Sequence, residues 1–424
     1  MIRSARPIRT VAALAVGALG MVAVAACGAP QSDDGRTVVQ VWHGFTEADG
    51  TVVQEIADDF NASQDDYRVE VEVNPWNVIS DKLMPAVKAG NGPDLVVQGV
   101  DTGQGYVNRG VFQSLEDFYD DPANETDTYY DHVVDYGVFD GEHYAVPMGY
   151  APYGIWFNKK MFAEAGVTEP PKTWDEMFDL ARRLTVDENG DGKPEIYGLS
   201  MADKAATFLP WWLAADGGTV YDDGEVTLDS PANVATLERW RQAYAEGWGP
   251  TNVSLPEAVD LFKAGKAAMV PIGPWMIGIA DSVDLDVGVF EMPSGTEKVS
   301  APAAANYWWL TEQAQGATKS GAYDFMRYFN SHESQVRWGL EANYPPNRTD
   351  IGADELAKNP YVATMQSFVP HTDIPLAGIP EGITDINAEL DTLSVHVTQG
   401  SGGDVGTLTR ETDDAITDIL SEDE

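Results

Sequence analysis

The chain has 424 residues, 68 of them acidic and 26 basic, for a formal charge of −42. That balance excludes nucleic acid as a partner, and because the acid is scattered in short pairs such as Asp58-Asp59, Asp65-Asp66, Asp120-Asp121 and Asp222-Asp223, it reads as solvated surface and not as an interaction tail. So long a chain exceeds what one hydrophobic core supports, so two lobes are expected.

Arg3, Arg6 and Arg9 form a positive start, and an uncharged apolar run from Val11 to Ala26 follows. The run is shorter than the roughly 20 residues of a spanning helix and has the pattern of an export signal. It closes in Val24-Ala25-Ala26, immediately before the chain's only cysteine, Cys27. This resembles a bacterial lipobox. On that reading residues 1–26 are removed, Cys27 becomes a lipid-carrying N-terminus on the outer face of the cell membrane, and residues 27–36 form a flexible tether. The plainer alternative is ordinary cleavage after Ala26 and a free buried thiol.

Ordered structure is expected from Thr37. Val38, Val39, Val41 and Trp42 make a short apolar strand, and Val52, Val53, Ile56, Ala57 and Phe60 recur at helical spacing. Tyr67, Val69, Val71 and Val73 alternate with Arg68, Glu70 and Glu72 as a second strand; a further helix ends at Gly90, and Leu95-Val96-Val97 supplies a third strand. This β-α-β-α-β order demands a parallel sheet, in which ligands bind beyond the carboxyl ends of the strands. Downstream, Thr173 and Glu176 form a capping box ahead of a helix whose buried stripe is Trp174, Met177, Phe178, Ala181 and Leu184. Ser230-Pro231 starts another helix, Phe262 closes a third, Gly265 stops it, and Ala267 to Val270 runs extended into Pro271-Ile272-Gly273-Pro274.

Five landmarks in this order carry a family resemblance. They are Gly92-Pro93-Asp94-Leu95, then Ile155-Trp156-Phe157-Asn158-Lys159 with Pro170-Pro171-Lys172-Thr173-Trp174, then Ala214-Ala215-Asp216-Gly217-Gly218, Phe262-Lys263-Ala264-Gly265-Lys266-Ala267-Ala268-Met269, and Gly273-Pro274-Trp275. Together they resemble the extracellular solute-binding proteins of ABC importers, typified by maltose-binding and glycerol-phosphate-binding proteins. The resemblance implies an α/β, two-lobed periplasmic-binding-protein-like fold of type II, each lobe a sheet flanked by helices, with a multi-strand hinge. Breaks in the periodic pattern place the crossings near Pro147, Pro271 and Asn330, so residues 37–147 and 272–330 are expected in one lobe and 148–271 and 331–424 in the other. The resemblance further implies a monomeric, non-enzymatic carbohydrate receptor that needs no cofactor, closes on its ligand, and delivers it to a two-subunit permease with a cytoplasmic ATPase.

Sugar sites combine aromatic platforms for C–H faces with carboxylates and amides for hydroxyls. Trp275 falls where maltose-binding protein carries a sugar-stacking tryptophan, and Asp101, seven residues after Asp94, where it carries a hydroxyl-binding aspartate. The bland readings are a hinge-packing tryptophan and a turn residue before Gly103. Further candidates are His43 and Phe45 after the first strand, Tyr150 and Tyr153 at the first crossing, Trp211 or Trp212 before the Ala-Ala-Asp-Gly-Gly landmark, and Asn306, Tyr307 and Tyr344. Trp308 and Trp309 are neighbours on one strand, so at most one is expected in the cleft. Ala151 stands at the acidic position of maltose-binding protein, and no pair of stacking aromatics follows Tyr344; both weigh against maltodextrin. The stretch from Pro375 to Leu390 has no arginine, which argues against a phosphorylated ligand.

Asp187-Glu188-Asn189-Gly190-Asp191-Gly192-Lys193-Pro194-Glu195 places oxygens at alternate positions with glycine sixth, the first half of a calcium loop. The twelfth position is Gly198 and not glutamate, so Asp187, Asn189, Asp191 and Glu195 could hold structural calcium only with help from elsewhere; the alternative is a set of turns. Asp101-Thr102-Gly103 occurs once, where aspartic protease chemistry needs two such carboxylates, and there is no His-Glu-x-x-His, Gly-x-Ser-x-Gly or P-loop. A secreted glycoside hydrolase is the serious rival, because two carboxylates across a sugar cleft suffice for it. A lipid-anchored adhesin would explain the anchor but not the β-α-β order.

Overall fold

The computed structural model describes residues 34–422 except 47, 206–207, 375 and 381. The leader, Cys27 and most of the tether lie outside the described residues. Among the described residues no helix is long and apolar enough to cross a membrane.

The first lobe starts as the alternation pattern predicts. Strand β1 (Thr37–His43), helix α1 (Ala48–Ser63), strand β2 (Tyr67–Val73), helix α2 (Trp76–Lys88) and strand β3 (Leu95–Gly99) follow in order. β1 lies between the other two, parallel to both, in register from Thr37↔Tyr67 to His43↔Val73 and at Val41↔Leu95. All five periodic apolar residues of α1 are buried, with Val52, Val53, Ile56 and Phe60 each contributing about 1.5–3 kcal/mol and Ala57 less. The short helix α3 (Gly103–Asn108) follows β3 after one 3-10 turn. Strand β4 (Ala145–Pro152) belongs to this sheet, and β5 (Gly154–Asn158), beginning two residues later, belongs to another.

The second sheet is β5 flanked by β6 (Met269–Ile272) and β7 (Val287–Phe290), both antiparallel to it. Helix α4 (Trp174–Leu184) is capped by Thr173, whose hydroxyl accepts the Glu176 N–H at 3.3 Å. Glu176 Oε2 reaches back one residue further than a strict capping box, to the Lys172 N–H at 2.7 Å. Helices α5 (Phe208–Ala215), α6 (Pro231–Tyr244), α7 (Leu255–Lys263) and α8 (Met276–Ser282) complete this face. Its core is tryptophan-rich: Trp212 stacks on Trp240 at 4.2 Å, with Trp174, Trp211, Phe178 and Trp248 packed around them.

The chain returns to the first sheet as β8 (Ala301–Leu310), antiparallel to β3 on one side and β4 on the other, with a bulge between Asn306 and Tyr307. Helices α9 (Ala317–Phe329) and α10 (His332–Glu341) follow in the first lobe, and the two-residue strand β9 (Thr372–Asp373) pairs with the start of β8. Helices α11 (Ile383–Gln399) and α12 (Val405–Glu422) pack on α6 in the second lobe.

These memberships move all three expected crossings. The first lies at 152–154, because β4 continues five residues past Pro147 before the sheet changes. The second lies between Phe290 and Ala301, because Gly273-Pro274-Trp275 is a strand-to-helix turn inside the second lobe and not an exit from it. The third lies between Tyr344 and Ile351: α10 stays on α1, where Arg337 pairs with Asp59 at 2.8 Å and with Glu55, while Tyr344 packs in the first-lobe core and Ile351 in the second. Asn330 ends α9 as a buried cap, its Oδ1 accepting from Gln335 and Asn347.

Candidate functional site: the interlobe cavity

Beyond the carboxyl end of β3 the two lobes enclose a cavity of about 480 Å3. Gly99, Val100 and Asp101 reach it from β3, Pro302 to Asn306 from β8, and Asp373 and Ile374 from the end of β9. The second lobe adds Pro210 of α5, Leu376, and three residues of α11, while Tyr153 comes from the first crossing. The α11 residues are Ile383, Asn387 and Asp391. Their spacing of four puts them on one stripe of the helix. A helix buries its other stripe by the same rule, and Ile386, Leu390, Leu393 and Val397 fill the second-lobe core.

The cavity is acidic. It is lined by three carboxylates and two carboxamides, with no lysine, arginine or histidine among the lining residues. Burial pushes the Asp101 carboxyl above its usual range, against a partial offset from the Thr102 backbone N–H. Asp101 folds back over Gly99, where a Cβ would fall 2.4 Å from its Oδ1, so this approach requires glycine. Asp391 is also pushed up, chiefly by burial and further by the nearby Asp203 charge, with Lys204 opposing. Its buried Oδ1 has no hydrogen-bond partner. Asp373 is already engaged, accepting from Lys298 Nζ at 2.7 Å and Ser300 Oγ at 2.6 Å.

Of the sequence candidates, Asp101, Tyr153 and Asn306 are brought together in the lining. Trp275 stands behind Tyr153, edge-on at 5.3 Å and 82°, and packs against the cores of both lobes. The others are packing residues in place of ligand platforms. Tyr150 is fully buried with its hydroxyl 2.9 Å from Thr372 Oγ1. Tyr307 is fully buried and its hydroxyl donates to Val133 O at 2.7 Å. Trp211 gives its indole N–H to Ser300 O, and Trp212 lies in the second-lobe tryptophan stack. His43 is buried, its imidazole pushed down to about 4 by loss of water, and its Nδ1 accepts the Phe45 N–H. Phe45 and Tyr344 join Trp338 in one aromatic cluster. Trp308 packs on Phe325 and Phe329 and Trp309 on Phe112, on opposite faces of β8, so neither reaches the cleft. The alternation that separates them was read correctly, but the sheet is covered on both faces.

The sequence reading missed Asp373, Asn387 and Asp391. The signal available for Asn387 and Asp391 was a polar pair at helical spacing among other polar residues of the same helix, and it is common on any exposed helix face.

The calcium-like loop is closed by its own oxygens. Asp187 accepts from the N–H groups of Gly190 and Gly192, Asn189 from Asp191, Asp191 from Lys193, and Glu195 from Glu188 N–H and Asn189 Nδ2. Gly198, the twelfth position, has no room for a side chain: a Cβ there would lie 1.9 Å from Ala181 O. Among the described residues no three acidic, His or Cys side chains converge on a point that could hold a metal ion.

The fold and cavity can be set beside known proteins. The chain is 25% identical over 354 residues to a maltotriose-binding protein of Pyrococcus abyssi, covering 80% of this chain and 73% of that one. It is 27% identical over 301 residues to the diacetylchitobiose-binding protein DasA of Streptomyces coelicolor, covering 66% and 69%. The crystal structure of the cyclic alpha-maltosyl-1,6-maltose binding protein of Arthrobacter globiformis superposes with a TM-score of 0.78 over 92% of this chain and 100% of that one, at 19% identity, a likeness of fold. The profile of the family described as bacterial extracellular solute-binding protein matches residues 55–364. The chain therefore belongs to the bacterial extracellular solute-binding protein family.

Proposed function

We propose that the protein is an extracytoplasmic receptor that encloses a carbohydrate of two or more rings between its lobes and delivers it to a membrane import permease. The observation that carries this is the lining of the interlobe cavity: carboxylates and carboxamides from both lobes, a tyrosine, and apolar patches from Pro210, Leu376 and Ile383. Hydroxyls donate to carboxylates and exchange bonds with amides, while C–H faces of a sugar ring lie against tyrosine and aliphatic surface. A cavity with three acidic and no basic side chains disfavours anionic ligands, so a phosphorylated cargo is a poor fit. Two relatives, the maltotriose-binding and diacetylchitobiose-binding proteins, are named for neutral oligosaccharides.

Binding here needs no chemical step. A ligand that touches Asp101 on one lobe and Asn387 on the other has more contacts when the lobes are together, and so shifts the population toward the closed form. The lobes are joined by several connecting segments, including the stretch around β9 that returns to the first sheet, which permits closure without unfolding either core. We further propose that Cys27 carries the lipid that keeps the receptor at the membrane, that the receptor is monomeric, and that permease subunits are its partners.

A thermal-shift screen of residues 28–424 against maltose, maltotriose, trehalose, cellobiose, diacetylchitobiose and glycerol 3-phosphate tests the reading. A bound ligand at about 100 times its Kd stabilises by about 2.7 kcal/mol. The expected result is a rise in Tm with one class of sugar, recovered intact. A sugar that binds and is cleaved would establish the glycoside hydrolase instead, and a rise with glycerol phosphate alone would overturn the carbohydrate assignment.

A further inference from the structure

The interlobe cavity does not end at Asp101. A second cavity of about 260 Å3 opens beyond it, and Asp101 and Ile383 line both. Its walls again come from the two lobes: Ser80 of α2 with Tyr106 and Arg109 at α3 on one side, Pro380 and Thr384 on the other. The chemistry differs from that of the inner cavity in the Arg109 guanidinium, which stands beside the Tyr106 ring and the carboxylates of Asp81 and Asp101. Tyr106 is fixed in place: its hydroxyl donates to Ser80 O at 3.1 Å and its ring packs on Phe112 at 5.2 Å. Next to it, a Cβ added to Gly105 would lie 3.3 Å from both Pro380 O and Arg109 Nη1. The lobes therefore approach to backbone distance at this point, and the outer compartment is complete only when they are together.

We propose that this outer compartment is a further sugar subsite, so that the cargo is an oligosaccharide one ring longer than the inner cavity holds, passing Asp101 and resting its outer ring against Tyr106. This deepens the carbohydrate reading and rests on it. A ring leaving the inner cavity meets what sugars need, an aromatic wall for C–H faces and Asp81 and Thr384 for hydroxyls. Asp101 lies between the two compartments and has lone pairs enough to accept from the sugar units on both sides. Because Pro380 and Thr384 belong to the second lobe's side of the cleft, a ring held there also favours closure.

Calorimetric titration of the full mature chain with maltose, maltotriose and maltotetraose, and in parallel with diacetylchitobiose and triacetylchitotriose, tests the subsite. Expected is a gain of roughly tenfold in affinity on adding the ring that enters the outer compartment. Tyr106→Ala removes that gain and leaves the affinity for the two-ring sugar unchanged, while Tyr106→Phe keeps it; the Tm of each unliganded variant reports folding. Affinity that is flat with length overturns the proposal, as does a gain that survives both Tyr106→Ala and Arg109→Ala. An equal loss for short and long sugars in Tyr106→Ala also overturns it, since that marks a structural residue. Binding of none of these sugars removes the carbohydrate reading itself, and the subsite with it.

Discussion

Asp101 is a carboxylate held where its charge costs stability until a ligand donates to it. Its pKa is raised by burial, so the folded state holds its proton more tightly than the unfolded state. The contribution of this group to stability is therefore complete below the unfolded value, near 3.8, and is lost as pH rises through the folded value above it. Asp101→Asn is accordingly expected to raise the Tm of the unliganded protein at neutral pH while weakening sugar binding by about 1.5–3 kcal/mol, the range for a hydrogen bond to a charged group. Calorimetry and a melting curve on the same variant check both signs. Sugar affinity of the wild type should fall as acid protonates Asp101 and Asp391, starting at pH values above the ordinary aspartate range. Trp275→Ala should behave in the opposite way. Its ring supports Tyr153 and bridges two cores, so truncation should lower the unliganded Tm, at a cost of about 2 kcal/mol, below the roughly 3–5 of a fully buried tryptophan. Equal melting curves for Trp275→Ala and wild type would contradict that role. The contrast also shows what the sequence could convey. Asp101 was legible from the family resemblance and its place at a strand end, and Tyr153 from its place at the first crossing, and both line the cavity. Trp211, Trp212, Tyr150 and Tyr307 look the same in sequence as a platform would, and only packing shows that other rings or backbone carbonyls already occupy their faces.

Periodicity made the elements legible where one stripe was apolar, as in α1 and α4, and where alternation was strict, as in β2. It could not assign elements to lobes, because a strand carries no mark of the sheet it joins: β7 reads like any short apolar run, and its pairing with β5 rather than with the first sheet is a long-range choice. Nor could it show the cavity-lining stripe of α11, since Asn387 and Asp391 resemble solvated positions until β8 and Asp101 are placed with them around one cavity. The Asp187 loop illustrates the converse. Its spacing matches a calcium loop, yet Gly198 is glycine for a steric reason, the carbonyl of Ala181 lying 1.9 Å from where a Cβ would stand. Backbone atoms at that distance cannot move aside as a flexible side chain would. Gly198→Ala is therefore expected to displace the end of α4 from the Gly198 segment, which is bonded to Trp248 O and Thr185 Oγ1, and to lower stability by more than about 2 kcal/mol. Chemical denaturation of the variant measures this, and a loss below about 0.5 kcal/mol would show that α4 and its neighbour separate without cost.

At the scale of the whole molecule, closure brings Asp101 of the first lobe and Asp391 of the second into one cavity that has no basic lining residue. Burial penalises the charged form of both carboxylates, so the unliganded protein gains by keeping its lobes apart and these groups in water. On the proposed reading, a sugar would reverse the balance by donating hydroxyls to both carboxylates, and its binding free energy would hold the closed form. Asp391 is the better lever on this balance, because its Oδ1 has no partner in the closed arrangement and because it lies on α11, outside the ring contacts of Tyr153 with Phe208 and Trp275. Asp391→Asn should remove the cost of burying this charge and keep the side-chain shape, raising the closed fraction before any ligand is added. Small-angle scattering of the unliganded variant should give a smaller radius of gyration than the wild type, and saturating sugar should contract it less. If both proteins instead show the same unliganded radius and the same contraction, the lobes are held apart by the hinge strands and not by charge, and Asp391 acts on the ligand alone.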